Sequence, residues 1–290
     1  MKTFSDMSNN DYHALKDYIS SSFVKSVAKH SIAKALLPTE PSQALLFGDA
    51  MHTFFEDQEA YKKRFKVFQD AAIIAQIKER RPDILAPTMT KDYKTYKKKF
   101  EEGLDENQVS ISFEDHHSIS YMYQSMTKNP AVKEIYKMYD PSESWDEYSF
   151  LTEEEDMHGL KYRVRPDRLL VRNEEPMAIL DWKSCRDASE KAFRSDFWRY
   201  RYDLQAAFYC DVMGILVDDF YFVAIEKEYP YNTAVYGLNP ETQMNALKEL
   251  NVIKYRIGEW KNNPKQAEMG LPNTNTITLL WAQNKTHLNY

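Results

Sequence analysis

Flexible linkers are the first thing that this sequence lacks. Its 290 residues include only 7 glycines, and no Gly/Ser-rich or Pro-rich run divides them. Hydrophobic residues make up 43% of the chain and aromatic residues 14%, which is enough for a substantial core. We therefore expect a single domain over residues 1–290, with its core over about 42–260 and a mostly irregular tail over 264–290.

Cysteines and long apolar runs are also scarce. The two cysteines, Cys185 and Cys210, exclude a disulfide framework and favour a reducing compartment. They form no Cys-x-x-Cys pair and cannot supply the four thiolates of an iron–sulfur cluster. No run approaches the roughly 18 apolar residues of a membrane span, and the N-terminus lacks the apolar segment of a secretory signal. These features predict a cytoplasmic protein.

Positive charge is in deficit, and the formal net charge is −6. A protein that coats DNA regardless of sequence needs a broadly basic surface, so this class is disfavoured. Local basic segments nevertheless occur at 61–66, 91–100 and 161–165, and aromatic residues alternate with cations in the first two. Such segments are typical either of a groove that follows a nucleic-acid strand or of solvated helix faces.

The periodicity of apolar residues predicts an α/β fold. Helices are expected over about 9–36, 42–60, 92–107, 115–138, 197–216 and 239–263. Strands are expected over about 147–152, 158–171, 177–184, 219–226 and 233–237. This order favours a central mixed β-sheet flanked by helices, with helical elaboration at both ends of the chain.

The most informative motif is Arg165-Pro166-Asp167-Arg168, which is followed by Ile179-Leu180-Asp181-Trp182-Lys183. Both segments are predicted strands, and the turn between them would bring Asp167 close to Asp181. Alternation along a strand places Asp181 and Lys183 on one face. Two carboxylates can hold Mg²⁺, and an adjacent ammonium can orient water or neutralise phosphate charge, as metal-assisted phosphodiester hydrolysis requires. An exposed hairpin with a surface Asp–Lys pair is the alternative interpretation.

Two predicted helices carry further polar pairs. His52 and Glu56 lie four residues apart, and Gly48 is one turn before His52, where it would let another backbone approach closely. Gln205 and Tyr209 share a face of the later helix, from which they could reach phosphate oxygens or the lysine. An imidazole beside carboxylates suits a divalent metal. The alternative for each pair is ordinary packing.

The order of these motifs resembles the RecB-type branch of the PD-(D/E)XK nucleases, and most closely the RecE-type nuclease domain of phage exodeoxyribonuclease VIII. The likeness covers most of the chain. It includes Asp11-Tyr12-His13, Ser20-Ser21-Ser22, Tyr-Met-Tyr-Gln-Ser-Met at 121–126 and Leu-Leu-Trp-Ala at 279–282. No single motif is diagnostic, but the ordered set is specific.

The resemblance implies a set of site residues. The metal ligands would be His52, Asp167, Asp181 and the backbone carbonyl of Trp182, with Glu147 as the best-placed additional glutamate. Lys183 would be the catalytic lysine, acting with both aspartates, and Gln205 and Tyr209 would flank it. The metal would be Mg²⁺, with Mn²⁺ as a substitute. Arg165, Arg168 and Arg201 are expected to contact DNA.

The implied function is a Mg²⁺-dependent double-strand DNA exonuclease. Members of that group degrade one strand from a 5′ end and leave a 3′ single strand for recombination by annealing. They often enclose DNA as rings and act beside a single-strand annealing protein, so we expect duplex ends, a homo-oligomer and such a partner. An endonuclease, an end-trimming repair nuclease and a non-catalytic DNA-binding module are open alternatives. The presence of every expected site side chain favours catalysis.

Overall fold

The computed structural model describes residues 1–4, 7–38 and 42–264. The tail predicted to be irregular lies outside these residues, apart from Pro264, and so does the segment at 279–282. Within the described residues, no helix combines the length and the apolar character that crossing a membrane would need.

Helices surround three β-sheets in the described part of the chain. The helices are α1 (Asn9–Ala14), α2 (Ser21–Lys29), α3 (Ile32–Ala35), α4 (Gln43–Glu56), α5 (Gln58–Arg64), α6 (Ala71–Arg80), α7 (Lys91–Glu101), α8 (Phe113–Lys128), α9 (Pro130–Tyr139), α10 (Glu190–Tyr200), α11 (Tyr202–Met213) and α12 (Pro240–Asn262). The strands are β1 (Lys2–Phe4), β2 (Tyr18–Ile19), β3 (Phe65–Phe68), β4 (Val109–Ser112), β5 (Glu143–Asp146), β6 (Ser149–Leu151), β7 (Lys161–Val164), β8 (Arg168–Arg172), β9 (Glu175–Cys185), β10 (Phe220–Glu226) and β11 (Thr233–Tyr236).

The central sheet has the strand order β11–β10–β9–β8–β5. β9 and β10 are parallel, whereas the other neighbouring strands are antiparallel. Parallel neighbours need a crossover connection, and α10 and α11 lie between these two strands along the chain. The predicted α/β class, with a mixed sheet flanked by helices, is therefore confirmed.

Both faces of the central sheet are buried. Ile179 of β9 belongs to a core that α2, α11 and α12 cover, while its neighbour Leu180 belongs to a second core formed with α4, α8 and α9. Successive residues enter opposite cores because side chains alternate along a strand. Asp181 and Lys183 lie on the same side as Ile179 by this alternation, so they are polar groups within a largely apolar layer.

The predicted strand over 158–171 is in fact two strands in different sheets. β7 pairs with β6 and β2 in a four-stranded sheet of order β1–β6–β7–β2, whereas β8 joins the central sheet. Arg165-Pro166-Asp167 forms the connection. Proline has no N–H to donate to a strand neighbour, which explains why the ladder is interrupted here. Asp167 thus lies at the junction of two sheets.

Several predicted helices are also divided, each at a capping residue. Asp57 ends α4 and begins α5, where its carboxylate accepts hydrogen bonds from the N–H groups of Glu59 and Ala60. Ser20 and Ser31 begin α2 and α3 in the region predicted as one helix. The helix predicted over 197–216 is interrupted by Arg201, whose φ is +56°.

The segment 61–90, which the sequence does not assign, contributes a small parallel sheet and a satellite core. β3 and β4 pair in parallel, and Phe68, Ile77 and Tyr93 pack together beside them. The basic segment 91–100 lies in α7, where Tyr93 is buried and the lysines face outward. This arrangement corresponds to a solvated helix face, which is one of the two interpretations of the segment 91–100 given above.

Gly48 does not have the role expected of it. Among the residues that the structure describes, no atom outside the backbone of α4 would lie within 4 Å of a Cβ atom at this position, so no other described backbone approaches it. Gly258 in α12 is the opposite case, because its Cβ would lie 2.8 Å from the carbonyl oxygen of His158. Gly258, and not Gly48, is therefore the helical glycine that another backbone approaches closely.

We predict that Gly48→Ala raises the free energy of unfolding by about 0.5–1 kcal/mol, because alanine is preferred in a helix interior. Gly258→Ala is the matched control and should lower stability, since the new methyl group would displace backbone. Urea denaturation of the two variants measures both effects. A loss of stability in Gly48→Ala would show that the space beside α4 is filled.

Candidate metal and catalytic site

Asp167 is fixed by backbone contacts on both sides. Its Oδ2 accepts a hydrogen bond of 2.7 Å from the N–H of Trp182 in β9. Its carbonyl oxygen accepts one of 3.3 Å from the N–H of Glu147, which follows β5 with a φ of +53°. Asp167 therefore joins the strand that carries Asp181 to the loop that carries Glu147.

Three ligand-type side chains meet at this junction. His52 Nδ1 lies 3.3 Å from Asp167 Oδ1 and 3.6 Å from Glu147 Oε1. Ligand atoms of the three side chains all lie within 4.8 Å of one another. His52 projects from α4, whose apolar residues Ala50 and Met51 anchor the helix in the second core. Three separate elements thus supply one nitrogen and two carboxylate groups.

This cluster has the properties of a divalent cation site. His52 Nδ1 is buried and, within the part of the chain that the structure describes, has no well-aligned hydrogen bond, although it faces two carboxylates. Burial, and then the nearby carboxylate of Asp167, raise the pKa of Glu147. Burial alone lowers the pKa of His52, but the charge and contact of Asp167 outweigh it and raise that pKa to about 9. A divalent cation coordinated by these groups would take the place of the protons that their raised pKa values favour.

Asp181 adjoins this cluster and is held by cationic and amide groups. Its Oδ2 contacts Lys183 Nζ, and its Oδ1 accepts a hydrogen bond of 2.6 Å from Gln205 Nε2. Asp181 is 1% exposed. Burial lowers the pKa of Lys183, but Asp181 and Asp167 raise it above its ordinary value, so the lysine stays charged. Sequence reasoning correctly placed Asp181 and Lys183 on one face.

Lys25 is a site residue that sequence reasoning missed. Its Nζ donates a hydrogen bond of 3.0 Å to Gln205 Oε1. That bond fixes which end of the Gln205 amide faces Asp181, so Lys25 acts on the aspartate through the glutamine. Burial, and then the charge of Lys183, lower the pKa of Lys25 to about 8. Nothing in the local sequence of α2 signals a contact with a residue 180 positions later.

Tyr209 and Trp182 both contact the segment that carries Asp167. The Tyr209 hydroxyl donates a hydrogen bond of 3.1 Å to the Arg165 carbonyl, and its role beside Lys183 stays a prediction. Burial, and then the proximity of Tyr12, hold the pKa of Tyr209 well above its usual value, so this hydroxyl stays protonated. The described contact of Trp182 with the site is its N–H, and its carbonyl as a metal ligand stays a prediction.

The three arginines predicted to contact DNA are all bound to protein groups. Arg168 forms a two-bond pair with Asp146 at 2.5 and 2.7 Å and also contacts Tyr136. Arg201 pairs with both Asp203 and Glu249. These acceptors neutralise the two guanidinium groups, because bidentate carboxylate contacts use their donors in pairs.

Arg165 is 8% exposed and binds three groups that belong to two parts of the chain. Its donors reach Ser149 Oγ at 2.8 Å, Asn9 Oδ1 at 2.6 Å and the Met7 carbonyl at 2.8 Å. Its guanidinium also lies 4.3 Å from the ring centroid of Tyr12. Arg165 therefore fastens the N-terminal helix to the four-stranded sheet, while also lining the pocket.

A pocket of about 710 Å³ opens over the cluster. His52, Glu147, Asp167 and Tyr209 line it, as do residues from α1, the start of α2, and α5. Ser21 Oγ, at the start of α2, is buried there and has no hydrogen-bond partner among the described residues. Glu56 also lines it, and burial followed by the charge of Asp146 raises the pKa of Glu56 to about 7. Acidic, hydroxyl and basic groups thus share one cavity.

A strand that carries Asp-x-Lys beside a Pro-Asp motif at the end of a neighbouring strand is the pattern of a PD-(D/E)XK nuclease fold. Comparison with family models agrees. Residues 14–269 match the family described as "PDDEXK-like domain of unknown function (DUF3799)", and the chain belongs to this family. The predicted membership of the PD-(D/E)XK superfamily is therefore confirmed, whereas the particular closeness to the RecE-type domain stays a prediction.

One solved structure shares this fold. A crystal structure entitled "Putative exonuclease" from Eubacterium rectale aligns with a TM-score of 0.54 at 14% identity, over 90% of this chain and 87% of that chain. A second structure, of SSO0001, aligns over 73% of this chain and 87% of its own at 12% identity, but with a TM-score of only 0.26. The search of curated proteins found no match.

We predict that Arg165→Ala lowers the free energy of unfolding by about 1.5–3 kcal/mol, because buried hydrogen bonds of a charged group are lost. Arg199→Ala, which removes an exposed arginine, is the control and should change stability by less than about 0.5 kcal/mol. Urea denaturation followed by circular dichroism measures both. Unchanged stability of Arg165→Ala would mean that this arginine does not secure the N-terminal helix.

Proposed function

We propose that this protein is a divalent-metal-dependent DNA nuclease that acts as an exonuclease on duplex ends. The observation that carries the proposal is the cluster of His52, Glu147 and Asp167 next to the Asp181–Lys183 pair, all within or beside one pocket. A fold alone does not define an activity, whereas ligands and a charged lysine arranged together constrain the chemistry.

The proposed role of each site residue follows from the position of its side chain. His52, Glu147 and Asp167 would hold the cation, and Asp181 and the backbone carbonyl of Trp182 are proposed as further ligands. The cation, taken to be Mg²⁺ with Mn²⁺ as a substitute, would lower the pKa of a bound water and neutralise phosphate charge. Gln205 keeps Asp181 in position through its 2.6 Å hydrogen bond. Trp182 does the same for Asp167 through its backbone N–H.

Lys183 would stabilise the charge that develops on the phosphate. It remains protonated because Asp181 and Asp167 surround it, and it is largely withdrawn from solvent, with a side-chain exposure of 14%. A fixed ammonium in a site shielded from water stabilises developing negative charge more strongly than one in bulk solvent. The buried hydroxyl of Ser21 offers a further donor to a phosphate oxygen in the same pocket.

Contacts to duplex DNA are proposed for the basic side of the pocket. Lys63 and Arg64 of α5 and Arg165 line it, although Arg64 also pairs with Asp49. The remaining surface is not generally basic, given the net charge of −6. Internal duplex should therefore be held weakly compared with an end that enters the pocket. Cleavage from the 5′ end, a 3′ single-strand product, a ring-shaped homo-oligomer and an annealing partner are further parts of the proposal.

We predict that Asp167→Asn loses both metal binding and DNA cleavage, because a ligand carboxylate is replaced by an uncharged group of similar shape. Lys183→Met should reduce the cleavage rate by about 100- to 1000-fold while metal binding remains, since the lysine acts on the phosphate. Isothermal calorimetry with Mg²⁺ or Mn²⁺ and a cleavage assay measure the two properties separately.

The control for these variants is Asp218→Asn, which changes an exposed carboxylate that contacts Gln243 and should leave both properties unchanged. Full cleavage by Asp167→Asn would refute the assignment of the site. Loss of metal binding in Lys183→Met would instead place the lysine among the groups that organise the cation.

We further predict that linear duplex DNA is degraded from its ends and that covalently closed duplex survives under the same conditions. Equal masses of both forms are incubated with the protein and Mg²⁺, and loss is followed by gel electrophoresis. Comparable loss of both forms would identify an endonuclease. Loss of neither form with Mg²⁺ or Mn²⁺ would support the non-catalytic DNA-binding module.

A further inference from the structure

An exposed tyrosine lies at the end of a ring stack that leads from the catalytic lysine to the surface. Tyr200, the last residue of α10, is 42% exposed. Its ring stacks on that of Tyr202 at 5.7 Å and 28°, and Tyr202 stacks in turn on Phe222 at 5.4 Å and 24°. Phe222 is fully buried, so the stack is anchored in the core. One face of the exposed ring is supported by the protein.

The stack exists because the helix is interrupted at Arg201. In a continuous helix, residues two positions apart point about 200° apart and their rings could not stack. Arg201 adopts a left-handed conformation, with φ +56° and ψ +49°, that costs a non-glycine residue about 1–2 kcal/mol. Carboxylates of Asp203 and Glu249 bind its guanidinium at 2.6–3.0 Å and hold this conformation. The strained conformation of Arg201 is thus held in place by these contacts, and it sets the orientation of Tyr200.

Cations accompany the ring stack along its length. Lys183 Nζ lies 5.0 Å from the Tyr202 ring centroid, and Lys25 Nζ lies 5.8 Å from it. Farther out, Lys29 Nζ lies over the Tyr200 ring at 5.6 Å from its centroid, and Arg199 Cζ lies over it at 5.3 Å. Both are long, flexible side chains that can move aside to phosphates when a base stacks on the ring. Lys25 and Lys29 are one helical turn apart and so share a face of α2. Positive charge therefore extends from the catalytic lysine to the protein surface.

We propose that the platform formed by Tyr200, Lys29 and Arg199 binds an unpaired nucleotide of the DNA strand that reaches Lys183. This inference rests on the nuclease function proposed above and assigns a path to its substrate. The exposed ring can stack on a base, while the surrounding cations attract the phosphates on either side of it. Single-stranded DNA is the occupant that fits, because the base faces of a duplex are covered by neighbouring base pairs.

The test measures binding of a single-stranded oligonucleotide that carries 2-aminopurine, in the presence of EDTA so that cleavage is not required. Tyr200→Ala should weaken binding by about 5- to 150-fold, the range observed for loss of one base–aromatic stack. It should also abolish the quenching of 2-aminopurine fluorescence that stacking causes. Tyr200→Phe keeps the ring and should restore both. Lys29→Met should reduce the slope of log K against log salt by about 0.7.

Tyr255→Ala is the matched control, because Tyr255 is 54% exposed on α12 and its ring lies edge-on to His158. It should bind like the parent protein, and circular dichroism verifies that each variant is folded. Parental binding and quenching in Tyr200→Ala would overturn the platform, whatever the cleavage assay shows. Conversely, a protein that never cleaves DNA but loses single-strand binding in Tyr200→Ala would refute the nuclease proposal and retain the platform.

Discussion

The arrangement of this site depends on negative charge that is concentrated in a poorly hydrated place. Asp167, Asp181 and Glu147 are all withdrawn from water, and two of them face the same imidazole. Carboxylates brought together in this way repel one another and lose solvation, which works against folding. The protein offsets this with Lys183, His52 and two well-placed hydrogen-bond donors, Trp182 N–H and Gln205 Nε2. The proposed cation would interact with the carboxylates that these groups leave available.

Interrupted secondary structure is what brings these groups together. The break at Pro166 lets one chain segment serve two sheets and leaves Asp167 at their junction. The positive φ of Glu147 turns the chain between β5 and β6 and brings Glu147 to the same place. The break at Arg201 separates α10 from α11, so that Gln205 faces Asp181 while Tyr200 remains at the surface. These local departures from regular structure are held by specific contacts, and they position site residues.

The fold and the site place different demands on the amino-acid sequence. The fold is shared with a protein of 14% identity over most of both chains, so its topology tolerates nearly complete replacement of the sequence. Such tolerance is expected of a two-sided sheet in which volume and apolar character matter more than the individual side chains. Polar contacts inside the site have no such freedom, because each buried donor or acceptor needs a partner of the right kind. The function is therefore better inferred from the side chains of the site than from the fold.

The sequence by itself determined the class of fold and the pair of motifs on which the site is built. Asp167, Asp181 and Lys183 could be selected because strand periodicity acts over short distances and fixes which side chains share a face. Helix ends were misplaced at Asp57 and Arg201, since a cap or a left-handed residue within an apolar pattern leaves only a weak local signal.

Only the tertiary structure decided the long-range contacts. It showed that Lys25 reaches Gln205, that Arg165 secures the N-terminal helix, and that Arg168 and Arg201 are paired with carboxylates. It also showed that no other backbone of the described residues approaches Gly48. These contacts join residues that are far apart in the chain or depend on the packing of several elements at once. Neither periodicity nor composition encodes such distances, because they follow from how the layers pack rather than from the pattern within any one of them.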